Sequence, residues 1–236
     1  MTFPTPSTVR RIELLLDTLD YEELGRIYCH EGGTRFWKAK RDEVLDSGFL
    51  WSRSLAGRLS RGGRSLYAGA GVAELPAILT EVLDLQRSVV AANLREPECL
   101  SLNRSLQAAG FSHELRYRNV DAGDLGDEGP YDHLCAVSLL DDPETFPQVS
   151  AVTYGEMHPV HLDPDAFSAE RARVRSLVDR LWRGLRKPFT ITTTTEETPW
   201  FTERADLEGS RVEADDELIQ TAVVGDPVGF LVVSSG

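Results

Sequence analysis

The chain has 236 residues, of which 41% are hydrophobic and 27% are charged, the composition of an ordinary globular protein. Its formal net charge of −13 argues against sequence-blind binding to nucleic acid and against docking on anionic lipid, since both need surplus Lys and Arg. The charge is uneven: residues 1–64 hold 11 basic and 9 acidic side chains, whereas residues 65–236 hold 14 and 29. This split predicts two functional parts and no nucleic-acid or membrane partner.

The sequence also predicts a cytoplasmic location. No apolar stretch reaches the roughly 20 residues of a membrane span, and the first residues lack the basic and apolar regions of a secretory signal. The three cysteines, Cys29, Cys99 and Cys135, show no pairing rhythm, which is typical of reduced thiols in the cytosol.

Residues 7–64 predict a helical N-terminal segment. Four apolar residues recur at the spacing of one helix face: Ile12, Leu15, Leu16 and Leu19. Two further short helices are expected around residues 36–46 and 50–59, before a Gly-Gly turn. We expect residues 1–64 to form a helical cap that lies over the ligand-binding edge of a second unit, residues 65–236.

From Ser65 onward, predicted strands alternate with predicted helices. The strands are expected at residues 65–68, 87–92, 115–120, 133–139, 188–195, 218–223 and 229–233. Strands separated by helices imply an α/β fold with a mostly parallel sheet, whose ligands bind at the carboxyl ends of the strands. The last two strands are joined by five residues, so we expect a C-terminal antiparallel hairpin.

A glycine-rich turn between the first strand and the next helix is the sharpest motif. The sequence there is Tyr67-Ala68-Gly69-Ala70-Gly71, and glycines allow a tight turn and close approach of a ligand to the backbone. A dinucleotide site needs a third glycine where this chain has Glu74, whose carboxylate would repel a pyrophosphate. The turn therefore favours a cofactor without phosphate, and an NAD(P)-binding oxidoreductase is only a second alternative.

Three further stretches follow later strands of the unit: Asn93 to Glu96, Asp121-Ala122-Gly123-Asp124-Leu125, and Tyr131 to Val137. With the glycine turn they make residues 65–236 resemble the class I S-adenosylmethionine-dependent methyltransferases, a Rossmann-like fold. The resemblance implies S-adenosylmethionine as the cofactor and a transferase activity on a small molecule. It implies a binding set of nine residues: Tyr67, Gly69, Gly71, Glu74, Asn93, Glu96, Asp121, Ala122 and Ser138.

The motifs depart from the family pattern at three positions. Tyr67 stands where the family usually has an acid, Ala73 stands in place of a glycine, and Asn93 replaces the common ribose-binding carboxylate. A neutral amide is a weaker partner for a ribose hydroxyl than a carboxylate. A catalytically inactive binding or interaction protein on the same fold therefore stays open as an alternative to a methyltransferase.

Candidate catalytic residues follow the fourth strand. Asp141 could orient a substrate amine, although Asp142-Pro143 is also typical of a simple turn. Further along, Tyr154 and His158 belong to a polar segment that predicts a substrate-binding loop. Pro159 disfavours a regular metal-binding helix face there, so no metal is expected.

The threonine-rich strand ends in two acids and an aromatic residue. Glu196, Glu197 and Trp200 follow Thr192 to Thr195, and acids beside an aromatic ring favour an amine or another cationic substrate. The alternative is a solvated strand end with a packed tryptophan.

Overall fold

The computed structural model describes residues 3–27, 33–157, 162–222 and 225–236, with the side chains at 33–37 left out. The α-helices are α1 Pro6–Thr18, α2 Tyr21–Ile27, α3 Gly33–Arg58, α4 Leu75–Leu83, α5 Glu96–Ala108, α6 Pro147–Thr153, α7 Pro164–Arg183 and α8 Thr198–Glu208. A 3-10 helix spans Ala122–Glu128. The strands are β1 Arg64–Ala68, β2 Ser88–Asn93, β3 Tyr117–Asn119, β4 Tyr131–Ala136, β5 Leu185–Thr194, β6 Arg211–Ala214, β7 Ile219–Gln220 and β8 Pro227–Ser234.

The strands form one sheet in the order β3-β2-β1-β4-β5-β8-β6, with β7 also paired to β8. Strands β1 to β5 are mutually parallel, whereas β8 runs antiparallel to β5, β6 and β7. The chain leaves β1 toward β2 and β3 on one side and later returns to β4 on the other. This reversal is the topological switch point, where such sheets open a crevice for ligands. The predicted α/β class with a mostly parallel sheet is confirmed.

The end of the sheet differs in detail from the predicted hairpin. Of the predicted strand 218–223, only β7 pairs, opposite Pro227 and Val228. The longer partner of β8 on that side is β6, for which the sequence predicted no strand. Strand β6 is four residues long and almost wholly exposed, so it lacks the buried alternation by which a strand is detected in sequence.

The two helices predicted at residues 36–46 and 50–59 are one continuous helix, α3. Gly48 does not break it. A Cβ at this position would lie 2.5 Å from the Pro76 ring, so the glycine allows α3 to approach α4 closely. The prediction failed because close packing against a distant helix is invisible in local sequence.

Helix α7 shows how local sequence sets an element's ends. The Asp163 carboxylate accepts the backbone N–H groups of Asp165 and Ala166, each at 3.0 Å, and Pro164 occupies the first turn. Its buried face carries Val174, Leu177, Val178, Leu181 and Trp182. This face packs on the sheet and positions the exposed face of the helix beside the carboxyl edge.

Each face of the sheet has its own hydrophobic core. One core joins helices α4 and α5 to the N-terminal helices, through residues such as Ile12, Leu16 and Leu55. The other joins α7, α8 and the 3-10 helix, through residues such as Leu181 and Phe201. The N-terminal helices therefore share a core with the sheet and cover one of its faces. Within the described residues, no helix is both long and apolar enough to cross a bilayer.

A set of buried charges, the core charge network, lies between β1, β4 and α4. It consists of Glu81, Arg87, Asp132 and His133. The Arg87 guanidinium, fully buried, donates to Glu81 and Asp132, and His133 Nδ1 lies 3.0 Å from Glu81. Burial alone would raise the pKa of Glu81, but His133 and Arg87 beside it lower that pKa to about 2. Each charge in this network thus faces an opposite one.

Candidate functional site

A cavity of about 530 Å³ lies at the carboxyl ends of β1, β2, β3 and β4. This volume suits a ligand of nucleoside size. Its walls come from the turns after the four strands, from residues 142–146 and from α7. The residues that line it are Gly69, Ala92, Asn93, Leu94, Arg95, Val120, Asp121, Ala122, Val137, Ser138, Leu139, Asp142, Glu144, Thr145, Phe146, Arg173, Ser176, Leu177 and Arg180.

Gly69 is the residue of the glycine turn that borders the cavity. Its φ of +75° is in the left-handed region, which glycine adopts without strain. A Cβ there would lie 3.0 Å from the Leu139 side chain, so the absence of a side chain keeps the floor of the cavity open.

Gly71 and Glu74 lie beside the cavity, outside its lining, and are bonded to each other. The Gly71 N–H donates to the Glu74 carboxylate at 2.7 Å, and the Tyr117 hydroxyl donates to the Gly71 carbonyl at 2.8 Å. Burial raises the pKa of Glu74. Because the chain's own carboxylate fills the backbone donor that a pyrophosphate would use, this turn is a poor dinucleotide site.

Asn93 lines the cavity, but its amide is already engaged within the protein. The Asn93 Nδ2 group donates to the Ala70 carbonyl at 2.9 Å and to Glu98 at 3.0 Å, and its Oδ1 accepts the Arg95 N–H at 2.8 Å. The residue therefore ties the glycine turn to the end of β2. Glu96, predicted to bind ribose, is exposed on the first turn of α5, and the acid of that turn which faces inward is Glu98.

Asp121 and Ala122 line the cavity at the end of β3. The Asp121 carboxylate caps the 3-10 helix by accepting the Gly123 N–H at 2.8 Å. It also accepts a hydrogen bond from Arg180 at 2.9 Å. This ion pair joins the β3 turn to α7, so it fixes two walls of the cavity relative to each other.

Tyr67 is not brought to the cavity. Its ring is fully buried and meets His133 edge-on, with ring centres 5.5 Å apart. Its hydroxyl donates to Glu81 at 2.6 Å, and burial raises its pKa well above the ordinary value. Side chains alternate between the two faces of a strand, and that of Tyr67 points away from the cavity and contacts the core charge network.

Three carboxyl groups, called here the acid cluster, meet beyond the ends of β4 and β5: Asp141, Glu197 and Asp226. Glu197 is fully buried. Its carboxylate accepts three successive backbone N–H groups and one hydroxyl, from Ser138, Leu139, Leu140 and Thr193. Burial and the charge of Asp141 raise the pKa of Glu197 to about 8, against the effect of these donors.

Asp226 and Ser138 connect the acid cluster to the cavity. The Ser138 hydroxyl lies 3.2 Å from Asp226, and Ser138 itself lines the cavity with a φ of +50°. The Tyr154 hydroxyl donates to Asp226 at 2.7 Å. Tyr154 is 38% exposed, so the cluster meets solvent on the Tyr154 side.

Asp141 is the least compensated group of the acid cluster. It is 1% exposed, and neither carboxylate oxygen has a hydrogen-bond partner among the described residues. Burial and the neighbouring Asp226 raise its pKa to about 6. The Tyr154 hydroxyl is near enough to oppose this shift, but its single proton goes to Asp226.

Several predicted residues end up elsewhere. Trp200 contacts Arg171, with the guanidinium 5.7 Å from the ring centre, in the α7–α8 region. His158 lies outside the described residues. No described side chain of residues 1–64 lines the cavity, so the expectation that this segment covers the ligand edge is wrong for the part that the structure describes: its apolar faces pack on α4 and α5 instead.

Two contributors to the site were not predicted from the sequence. The first is α7, from which Arg173, Leu177 and Arg180 line the cavity. The second is Asp226, which precedes β8. An antiparallel strand begins at the edge where its parallel neighbour ends, so the residue before β8 belongs to the ligand edge. The signal was therefore present once the last strand was predicted to be antiparallel.

No protein-family model matches the sequence, and no curated protein matches it either. Solved structures do match its fold. A precorrin-6y C5,15-methyltransferase from Geobacter metallireducens has a TM-score of 0.50 at 13% identity, over 81% of this chain and 89% of that one. An S-adenosylmethionine-dependent O-methyltransferase from Thermotoga maritima has 0.50 at 15% identity, over 81% and 65%.

A third match extends further along the chain. A mutant of MtNAS has a TM-score of 0.50 at 13% identity and covers 95% of this chain and 71% of that one. Coverage this complete includes the N-terminal helices as well as the sheet. The chain spans less than two thirds of the Thermotoga enzyme. These likenesses confirm the Rossmann-like α/β fold that the sequence predicts.

Proposed function

We propose that the protein binds S-adenosylmethionine in the 530 Å³ cavity and is a methyltransferase that acts on a small molecule. The proposal rests on the position of four residues that were predicted for the site. Gly69, Asn93, Asp121 and Ser138, chosen from four separate stretches of sequence, all line the same cavity at the switch point of the sheet. The turns after neighbouring parallel strands meet at this edge, and it is there that open α/β sheets bind their ligands.

The lining fits such a cofactor. At Gly69 a Cβ would press on Leu139, as expected where a ligand approaches the backbone. Asp121 and Ala122 would hold the adenine end, and the turn between Asn93 and Arg95 would hold the ribose. The filled donor at Gly71 suits a cofactor that brings no phosphate. When bound, the cofactor supplies an activated methyl group, so the chain's main task is to position the acceptor and exclude water.

The acid cluster, the two parts of the chain and the cysteines suggest a substrate class, a domain organisation and a cellular location. We propose a small substrate with an amine or another cationic group, since Ser138, which lines the cavity, lies 3.2 Å from Asp226 of the acid cluster. Residues 1–64 would form a helical unit and residues 65–236 the cofactor-binding unit. Unpaired, buried Cys99 and Cys135 support a cytoplasmic location.

A binding protein without catalysis is the alternative that one observation favours. The Asn93 amide is fully engaged with Ala70, Glu98 and Arg95, so it offers the ribose less than a free carboxylate would. Such a protein would bind the cofactor, or its demethylated product, without turnover. An oxidoreductase using NAD(P) is disfavoured by the Gly71–Glu74 hydrogen bond.

Calorimetry with S-adenosylmethionine and with S-adenosylhomocysteine tests the proposal. We expect both to bind the wild type, and Gly69→Ala to weaken binding about tenfold or more, because its new methyl group enters the cavity floor. Gly110→Ala is the matched control. Gly110 has a similar φ of +80° but open space around it, so that variant carries the same backbone strain and keeps its affinity. Absence of binding at millimolar ligand would overturn the proposal.

A further inference from the structure

Three carboxyl groups meet in the acid cluster without a described cation beside them. Among the described residues, Asp141, Glu197 and Asp226 form no ion pair with Lys, Arg or His, although ion pairs are frequent elsewhere in the protein. Buried carboxylates are costly unless they are paired or protonated. A bound cation that also donates hydrogen bonds would offset this cost where the described residues supply no partner.

Asp141 is the group that points to a ligand. Its carboxylate is 1% exposed and both oxygens lack a partner among the described residues. Native structures rarely leave a buried polar group unpaired without a bound ion, water or ligand to satisfy it. These two oxygens lie near enough to Asp226 for its charge to act on Asp141, so together the carboxyl groups can accept N–H donors.

The rest of the cluster is rigid and already bonded. Glu197 is satisfied by three backbone N–H groups and the Thr193 hydroxyl, so it holds the turn after β4 in place. Asp226 receives the Tyr154 hydroxyl and keeps acceptor capacity on its other oxygen. The ligand therefore meets Asp141 and Asp226, with Tyr154 at the solvent side.

The chemistry of the site selects an ammonium group over a metal ion. In the part of the chain that the structure describes, no three His, Cys, Asp or Glu side chains are placed to hold a metal. An alkylammonium brings a positive charge and up to three N–H donors, which matches two carboxylates with free oxygens. A sulfonium or quaternary ammonium brings charge but no donors.

We propose that Asp141 and Asp226 form a binding site for the ammonium group of a primary or secondary alkylamine, entered past Tyr154. That this amine is the methyl acceptor rests on the proposed function, because Ser138 joins the site to the cavity. The ammonium site itself does not depend on it. Glu197 is a positioning residue that orients the turn from Ser138 to Leu140.

The test uses n-butylammonium chloride as the probe and saturation-transfer NMR as the readout. We expect millimolar binding to the wild type, and a loss of about tenfold or more in affinity in Asp141→Asn and in Asp226→Asn, since each removes a charge-assisted hydrogen bond. n-Butanol should show no saturation transfer. Asp127→Asn is the matched control, because it removes one exposed charge near the opposite, amino edge of the sheet.

Calorimetry with S-adenosylmethionine on the same variants separates this inference from the proposed function. We expect the cofactor affinity of Asp141→Asn to equal that of the wild type. A tenfold loss would place the carboxylate against the cofactor and overturn the substrate site. Equal butylammonium binding in wild type and Asp141→Asn would also overturn it, while leaving the cofactor site intact. If butylammonium binds and S-adenosylmethionine does not, the ammonium site is supported and the proposed methyltransferase function is refuted.

Two further probes test whether the site requires N–H donors and whether it prefers an ammonium to a metal ion. Tetramethylammonium, which lacks N–H donors, should bind more weakly than butylammonium, and equal binding would reduce the site to a nonspecific negative patch. Mg²⁺ at the same concentration should not displace butylammonium, and displacement would overturn the choice of an ammonium over a metal ion.

Discussion

Two groups of charged side chains in this protein differ in whether a cation lies beside the acids. The core charge network, beneath β1 and β4, places Arg87 between Glu81 and Asp132. The acid cluster, at the opposite end of the same strands, gathers Asp141, Glu197 and Asp226 without a described cation. The first contains its own cation, and the second has none among the residues that the structure describes.

The pKa directions express the same contrast. In the network, His133 and Arg87 lower the pKa of Glu81 to about 2 despite complete burial. In the cluster, burial and like charges raise the pKa of Asp141 to about 6 and that of Glu197 to about 8. A satisfied network stabilises a fold, whereas an unsatisfied cluster costs stability and is expected where a ligand completes it.

The largest effect should come from breaking the core charge network. Arg87→Met removes the guanidinium from the buried Glu81, which keeps His133 beside it, and from the partly exposed Asp132. We expect a loss of about 3–5 kcal/mol in the free energy of unfolding. Urea denaturation followed by circular dichroism measures it. A loss below about 1 kcal/mol would mean that the network is not an internally balanced unit.

The acid cluster should make the wild type less stable as the pH rises. A carboxyl group whose pKa is higher in the folded protein than in the unfolded chain binds its proton more tightly when folded. Its contribution to the free energy of unfolding is complete below the unfolded pKa and is lost as the pH rises through the folded pKa. For Asp141 and Glu197 the window runs from about pH 4 to about pH 8. The shift of Asp141 alone corresponds to a decline of roughly 3 kcal/mol by about pH 6, and Glu197 extends the decline to about pH 8. Glu81 adds no slope there, since its lowered pKa matters only in more acidic solution. Urea midpoints across this range would check the decline, and a flat profile would contradict it.

A single substitution in the cluster should be stabilising. Asp141→Asn removes the buried charge while it keeps the size of the side chain, so we expect a gain of about 2 kcal/mol at pH 8 that shrinks at pH 5, where Asp141 is protonated. Thermal unfolding at the two pH values measures the difference. Destabilisation at both would show that the carboxylate has an internal partner.

We expect the smallest change in stability from breaking an exposed ion pair, which provides a comparison for the core charge network. Arg118 donates to Glu128 at 2.6 Å, but both side chains are 41% exposed. Arg118→Met should therefore change the free energy of unfolding by about 0–1 kcal/mol. The same urea experiment applies, and an effect as large as that of Arg87→Met would remove the distinction between buried and exposed pairs.

Part of the site was predictable because it depends on chain order. In a parallel sheet, whatever follows each strand comes to the same edge, so the turns at Gly69, Asn93, Asp121 and Ser138 could be assigned to one crevice without coordinates. Tyr67 and Glu96 could not be assigned in this way. Which face a side chain takes depends on register and on the helix's first turn, and both side chains lie away from the cavity.

The sequence by itself determined the alternation of strands and helices, the glycine turn and the uneven charge, because hydrophobic periodicity and turn residues act locally. Only the tertiary structure decided which acids are paired. Glu81 meets Arg87 and His133, whereas Asp141 meets Asp226 from a segment 85 residues later in the chain. The surplus of negative charge in residues 65–236 is visible in composition, but its concentration at one unneutralised cluster depends on contacts between distant parts of the chain.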